Sequence, residues 1–103
     1  MSSEAALQAE ILREFGGRPD LRIWRQNTGA ARTALGALVR FGVPGQADIS
    51  GLRLPHGQRI EIEVKSPKGR QSQQQRRYQA MIENCGGIYI LARSLEDVRE
   101  VLG

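Results

Sequence analysis

Only one cysteine, one histidine and five aromatic residues (one Trp, two Tyr, two Phe) occur among the 103 residues of this chain. Cys85 has no partner for an internal disulfide, and one His with one Cys cannot build a zinc site without several carboxylates or another subunit. A reducing, intracellular setting follows as the expectation. No apolar run approaches the roughly 20 residues needed to span a bilayer. The opening Met1-Ser2-Ser3-Glu4 has neither the basic nor the apolar region of a secretion signal, so the chain is expected in the cytoplasm and away from membranes. Repeats and low-complexity tracts are absent as well; the Gln71, Gln73, Gln74, Gln75 stretch is too short to count. What is abundant is arginine: 15 Lys+Arg against 11 Asp+Glu give a formal charge of +4, which favours a polyanionic partner without requiring one. The length suits a single domain over residues 1–103 with a small core.

Ser2 or Ser3 caps a helix of about residues 4–15, with Leu7, Ile11 and Phe15 every four positions and Gly16-Gly17 as its stop. Leu21, Ile23 and Trp24, with arginines between them, suit a partly buried strand ending near Gln26, with Trp24 in the core. Asn27 to Gly36 reads as a loop over a ligand surface or a short helix, and Ala37 to Phe41 as a further strand. Two strand-like runs, Ala47–Leu54 and Arg59–Val64, face each other across Pro55-His56-Gly57-Gln58 as an antiparallel hairpin, with His56 exposed in the turn. Ile60, Ile62 and Val64 alternate with Glu61, Glu63 and Lys65, giving an apolar face and a charged one. A basic loop, Ser66 to Arg70, leads to a helix capped by Ser72, with Tyr78, Met81, Ile82 and Cys85 on one face and Gly86-Gly87 at its end. Ile88–Ala92 is an apolar strand, and Ser94 with Asp97 opens a last helix.

The chemistry-bearing feature is Asp48, followed 15 positions later by Glu63-Val64-Lys65. On the proposed hairpin these groups meet at one end of the sheet, and Glu63 and Lys65 project from the same face. Two carboxylates and the Val64 carbonyl form a hard-oxygen set suited to Mg²⁺ or Mn²⁺, with Lys65 placed to neutralise a transition state or to help deprotonate water. The bland alternative is the wet face of an amphipathic strand with Asp48 near a turn.

These residues carry a family resemblance. Asp48, Glu63-Val64-Lys65 and Gln75 resemble the pattern of the PD-(D/E)xK nuclease superfamily. The run Trp24-Arg25-Gln26-Asn27-Thr28-Gly29, then Phe41 to Asp48, Ile62 to Ser66, Gly69, Ser72-x-x-Gln75 and Gly86-Gly87 resembles the virus-type replication-repair nuclease (VRR-NUC) domain over nearly the whole chain. Ala47 stands where the superfamily pattern has Pro, a backbone-shaping residue and not a ligand.

The resemblance implies an α/β fold of restriction-endonuclease type, a central mixed β-sheet flanked by helices in the order α-β-β-β-α-β-α. It also implies a metal-dependent, structure-selective DNA endonuclease of a bacterial or phage-infected cell, a homodimer acting on branched DNA such as Holliday junctions, with a helicase or repair partner acting in trans if one is needed. The alternative is a catalytically inactive nucleic-acid-binding module with the same fold. A further implication is an acid on the first helix, for which the sequence offers Glu4, Glu10 and Glu14. With Leu7 at 0°, Glu4 falls at about 60°, inside the apolar stripe, Glu10 at about −60° and Glu14 at about −20°. Glu4 is therefore the choice as catalytic support and metal ligand, and Glu10 the alternative.

Gln75, three positions before Tyr78, shares the inward face of its helix and is expected to point its amide at a metal-bound water or at Lys65. Arg25, Asn27, Arg32, Lys68 and Arg70, with Arg76 and Arg77 beside them in the sequence, are the candidates for phosphate contacts. Gly29, Gly45 and Gly69 are expected to let backbone approach the substrate.

Overall fold

The computed structural model describes residues 3–26 and 29–103, and the order of elements is α1 (Glu4–Phe15), β1 (Leu21–Arg25), β2 (Gly29–Arg32), β3 (Leu38–Phe41), β4 (Ile49–Arg53), β5 (Gln58–Val64), α2 (Gln73–Asn84), β6 (Ile88–Ala92) and α3 (Leu95–Leu102). Four strands form one sheet in the order β1-β4-β5-β6. The β4–β5 hairpin pairs antiparallel from Ile49↔Ile62 to Arg53↔Gln58, as its alternation predicts, and β1 pairs antiparallel with β4. β6 runs parallel to β5, from Ile60↔Ile88 to Val64↔Ala92, with α2 as the crossover. The sheet is therefore mixed and flanked by helices, as expected.

Strand alternation divides the side chains between two layers. Leu21, Ile49, Ile60, Ile62, Val64, Ile90 and Ala92 point to one face, where Leu7, Ile11 and Phe15 of α1 and Val98 and Leu102 of α3 close the main core. The opposite face carries a smaller cluster in which Tyr78 and Ile82 of α2 pack on Ala47 and Tyr89. Each helix starts as its sequence dictates. Ser3 accepts from the Ala6 amide, Ser72 and Gln75 form a full capping box, and so do Ser94 and Asp97. No helix among the described residues is long and apolar enough to cross a membrane.

Several expectations are corrected. Asn27 and Thr28 lie outside the described residues, but from Gly29 onward the segment read as a loop or short helix is a strand: β2 and β3 form a separate two-stranded ribbon, Gly29↔Phe41 to Arg32↔Leu38. Five strands thus precede α2 where the expected order had three. The ribbon turns on Gly36 at φ 86°, with the Thr33 amide donating to the Ala37 carbonyl. Its Gly, Ala and Arg residues lack the apolar contrast from which a strand is read.

The charged face of β5 is not wet, because α2 covers it: Glu61 is fully buried and Glu63 nearly so. Trp24 is not core but 40% exposed, because it stands on the part of that face which α2 does not reach. Met81 and Cys85, expected on the packed face of α2, are exposed, since Tyr78 and Ile82 alone fill that contact.

Candidate nuclease centre

The β4–β5 pairing brings Asp48, one residue before β4, beside the last residues of β5. The Asp48 carbonyl accepts from the Gln26 amide at 2.7 Å, and its carboxylate Oδ2 accepts from the Val64 amide at 2.8 Å. Backbone on both sides therefore fixes the position of the acid. The preceding loop is held by Gly45, at φ 80°, where an added Cβ would lie 2.3 Å from the Gln74 carbonyl oxygen. That contact corrects the expectation for Gly45: the close approach it permits is to the first turn of α2. Ala47, in the place of the superfamily Pro, is buried in the α2 cluster and roots the next residue, Asp48.

Glu63 is 3% exposed, and its Oε1 is buried with no hydrogen-bond partner. Burial is the main cause that pushes its carboxyl up to about 9; a hydrogen bond with Asp48 and that group's charge add to it, Lys65 opposes it, and Glu4 adds a smaller push. Two carboxyls side by side in a poorly solvated place cannot both ionise without a compensating cation. Lys65 follows with its amide on the Ala92 carbonyl at 3.0 Å, while no carboxylate among the described residues lies within ion-pair distance of its ammonium.

Glu4 departs from the expected placement. It is exposed, and its Oε1 accepts from the Ser66 amide at 3.0 Å. The contact ties α1 to the turn that follows Lys65. Of the alternatives, Glu10 lines the same cleft as Glu4, a space of about 260 Å³ shared with Lys65, Ser66, Pro67 and Arg93. Glu14 is committed elsewhere, to Arg99 at 2.6 and 2.7 Å.

Gln75 is also not as expected, since its amide oxygen accepts from the Ser72 amide at 2.8 Å within the capping box. Only its amide NH₂ remains for any other contact. Among the basic candidates, Arg25 ends β1, Arg32 bonds the Gly36 carbonyl at the ribbon turn, Lys68 and Arg70 are exposed in the β5–α2 loop, and Arg76 and Arg77 are exposed on α2. Asn27 lies outside the described residues. Gly69 approaches its own turn, with Ser66 Oγ 3.0 Å from where a Cβ would stand, and its carbonyl accepts from Arg93 at 2.8 Å.

Sequence reasoning passed over Arg93, and also Glu61, which accepts the Tyr78 hydroxyl and faces Arg59 Nε at 3.5 Å. Glu61 carried a signal, since it shares a face with Glu63; only the covering helix distinguishes it from a solvated residue.

The donor set fits a divalent cation of the hard, oxygen-loving class. The buried, partnerless Glu63 oxygen beside Asp48 lacks a positive partner. Among the described residues no three His, Cys, Asp or Glu side chains gather into a site, so the fit is to an ion that keeps water and substrate oxygens in its shell, as Mg²⁺ and Mn²⁺ do.

No curated protein and no solved structure matches the chain. A profile of the VRR-NUC domain matches residues 3–96, the span that contains Glu4, Asp48, Glu63, Lys65 and Gln75, and the chain accordingly belongs to the VRR-NUC family of PD-(D/E)xK-type nucleases.

Proposed function

We propose that this chain is a Mg²⁺- or Mn²⁺-dependent endodeoxyribonuclease, selective for branched DNA. The observation that carries the reading is the Glu63 carboxylate, buried with an unpartnered oxygen beside Asp48 and two residues from Lys65. A solvated strand face would leave such a group in water, where it needs no partner. Asp48 and Glu63 would hold the cation, with the Val64 carbonyl and Glu4 as further donors. When bound, the cation polarises the scissile phosphate and lowers the pKa of the attacking water.

The chain's own residues do the rest. Asp48 is held by two backbone contacts and so presents its free carboxylate oxygen in one orientation. Lys65 follows Glu63 by two positions on the same strand face, where its ammonium would neutralise charge developing on the phosphoryl oxygens, or its neutral amine would take the proton from water. Glu4 fixes the turn after Lys65 through Ser66. Lys68, Arg70, Arg25 and Arg32 contact phosphates with little base discrimination, in keeping with recognition of DNA shape. A homodimer presenting two such centres to two strands is part of the same reading; Leu35, Leu38 and Val39 of the ribbon expose apolar surface for it.

The test is cleavage of a labelled four-way junction and its matching linear duplex with Mg²⁺, with Mn²⁺ and with EDTA, wild type beside Lys65→Ala. Metal-dependent cutting of the junction in preference to the duplex, lost in the variant, is expected. Tight junction binding without cutting in either metal would overturn the catalytic reading in favour of a binding module.

A further inference from the structure

The face of the sheet that bears Glu63 is only half covered. In-register pairing places Trp24, Ser50, Glu61 and Tyr89 in one row across β1, β4, β5 and β6. Tyr89 lies under α2, whereas Trp24, on the edge strand at the other end of the row, is 40% exposed. An indole that escapes the core of a small fold needs a reason, since five aromatics serve the whole chain.

A chain of contacts holds its neighbour in place. The Tyr78 hydroxyl donates to Glu61, the fully buried Glu61 faces Arg59 Nε at 3.5 Å, and the Arg59 guanidinium lies over the Trp24 ring, 5.9 Å from its centroid. Burying a carboxylate is costly, and here it aims one cation at one ring. The Arg59 side chain remains 41% exposed. An indole and a guanidinium plane, side by side and both open to solvent, are the two groups on which unpaired bases stack.

Position links this step to the acid pair. Glu63 is two residues along the strand from Glu61 and two strands from Trp24, so their Cα atoms lie about 12 Å apart on the same face. We propose that Trp24 and Arg59 form a stacking step for an unpaired nucleotide of a DNA strand whose neighbouring phosphate occupies the Asp48–Glu63 centre. The choice of DNA rests on the nuclease reading above. Duplex DNA keeps its bases stacked inside and cannot use the step; a frayed, flapped or junction strand can. The step therefore favours branched over linear DNA without reading sequence.

The chain has a single tryptophan, so the step reports on itself. The 103-residue chain in EDTA, where no metal-dependent cutting occurs, is titrated with a short single-stranded oligodeoxythymidylate. Trp24 fluorescence and the anisotropy of a labelled copy are followed together, and matched duplex serves as the comparison. Saturable quenching that tracks the anisotropy is expected. Trp24→Ala should bind the single strand on the order of ten-fold more weakly, Trp24→Phe within about three-fold of wild type, and both should bind duplex within about two-fold. Binding without quenching, or equal losses on single strand and duplex in Trp24→Ala, would overturn the stacking step and leave the nuclease reading untouched. Quenching in a protein that cuts no DNA with either metal would support the step and overturn the catalytic reading, and no binding to any strand would overturn both.

Discussion

Glu63→Gln separates an unpartnered buried carboxyl from an ordinary surface one, and its effect follows from the direction and size of the shift. The group ordinarily titrates near 4.5 and is pushed up to about 9 by burial and by Asp48. Between those values the folded chain holds a proton that the unfolded chain has released, so stability declines as pH rises. The slope is at most about 1.4 kcal/mol per pH unit. From pH 5.5 to 7.5 the metal-free protein should therefore lose about 2–3 kcal/mol, on the order of 10 °C in Tm for a domain of this size. Glu14 and Asp20 shift the other way, held low by Arg99 and Arg18. Their contributions are lost only as pH falls through values below the ordinary carboxylate range, outside this window. Thermal unfolding in EDTA at half-unit steps is the assay. Glu63→Gln, which stays neutral, should flatten the decline and exceed wild type in Tm at pH 7.5. Mn²⁺ should raise the wild-type Tm at that pH far more than that of the variant. Parallel pH curves for the two proteins in EDTA would refute the account of Glu63 as a buried acid.

Three further outcomes are expected. Tyr78→Phe leaves Glu61 buried without its donor and should cost about 1–3 kcal/mol in urea unfolding, part of which Tyr78→Phe with Glu61→Met, apolar on both sides, recovers. Gly45→Ala forces a side chain into positive φ against the Gln74 carbonyl, so Tm should fall and cleavage should fall with it, because the same loop carries Asp48; an unchanged Tm would contradict the close approach. Ser72→Ala removes the hydroxyl that accepts from the Gln75 backbone amide, costing about 1 kcal/mol by chemical denaturation.

The sequence by itself determined the elements whose signals are local. Helix starts at Ser3, Ser72 and Ser94 follow from side chains that bond amides three residues away, and the β4–β5 pairing follows from an alternation that one face of a sheet requires. The meeting of Asp48 with Glu63 was legible for the same reason, because a hairpin register joins residues through their offset from one turn. The α2-covered face was not legible. An alternating Glu-x-Glu-x-Lys strand has the same pattern whether water or a helix lies over it, so the burial of Glu61 and Glu63 depended on where α2 crosses. The exposure of Trp24 was decided by how far that helix reaches, and the detour of Gln75 into a capping box by competition between nearby donors. Glu4 shows the limit of a helical wheel, which assigns an angle but not how much of the neighbouring structure covers a first turn. The contacts of Asp48, Glu61 and Glu4 join residues from 16 to 62 positions apart, and chain packing, which minimises exposed apolar area as a whole, settles them only when every element is in place.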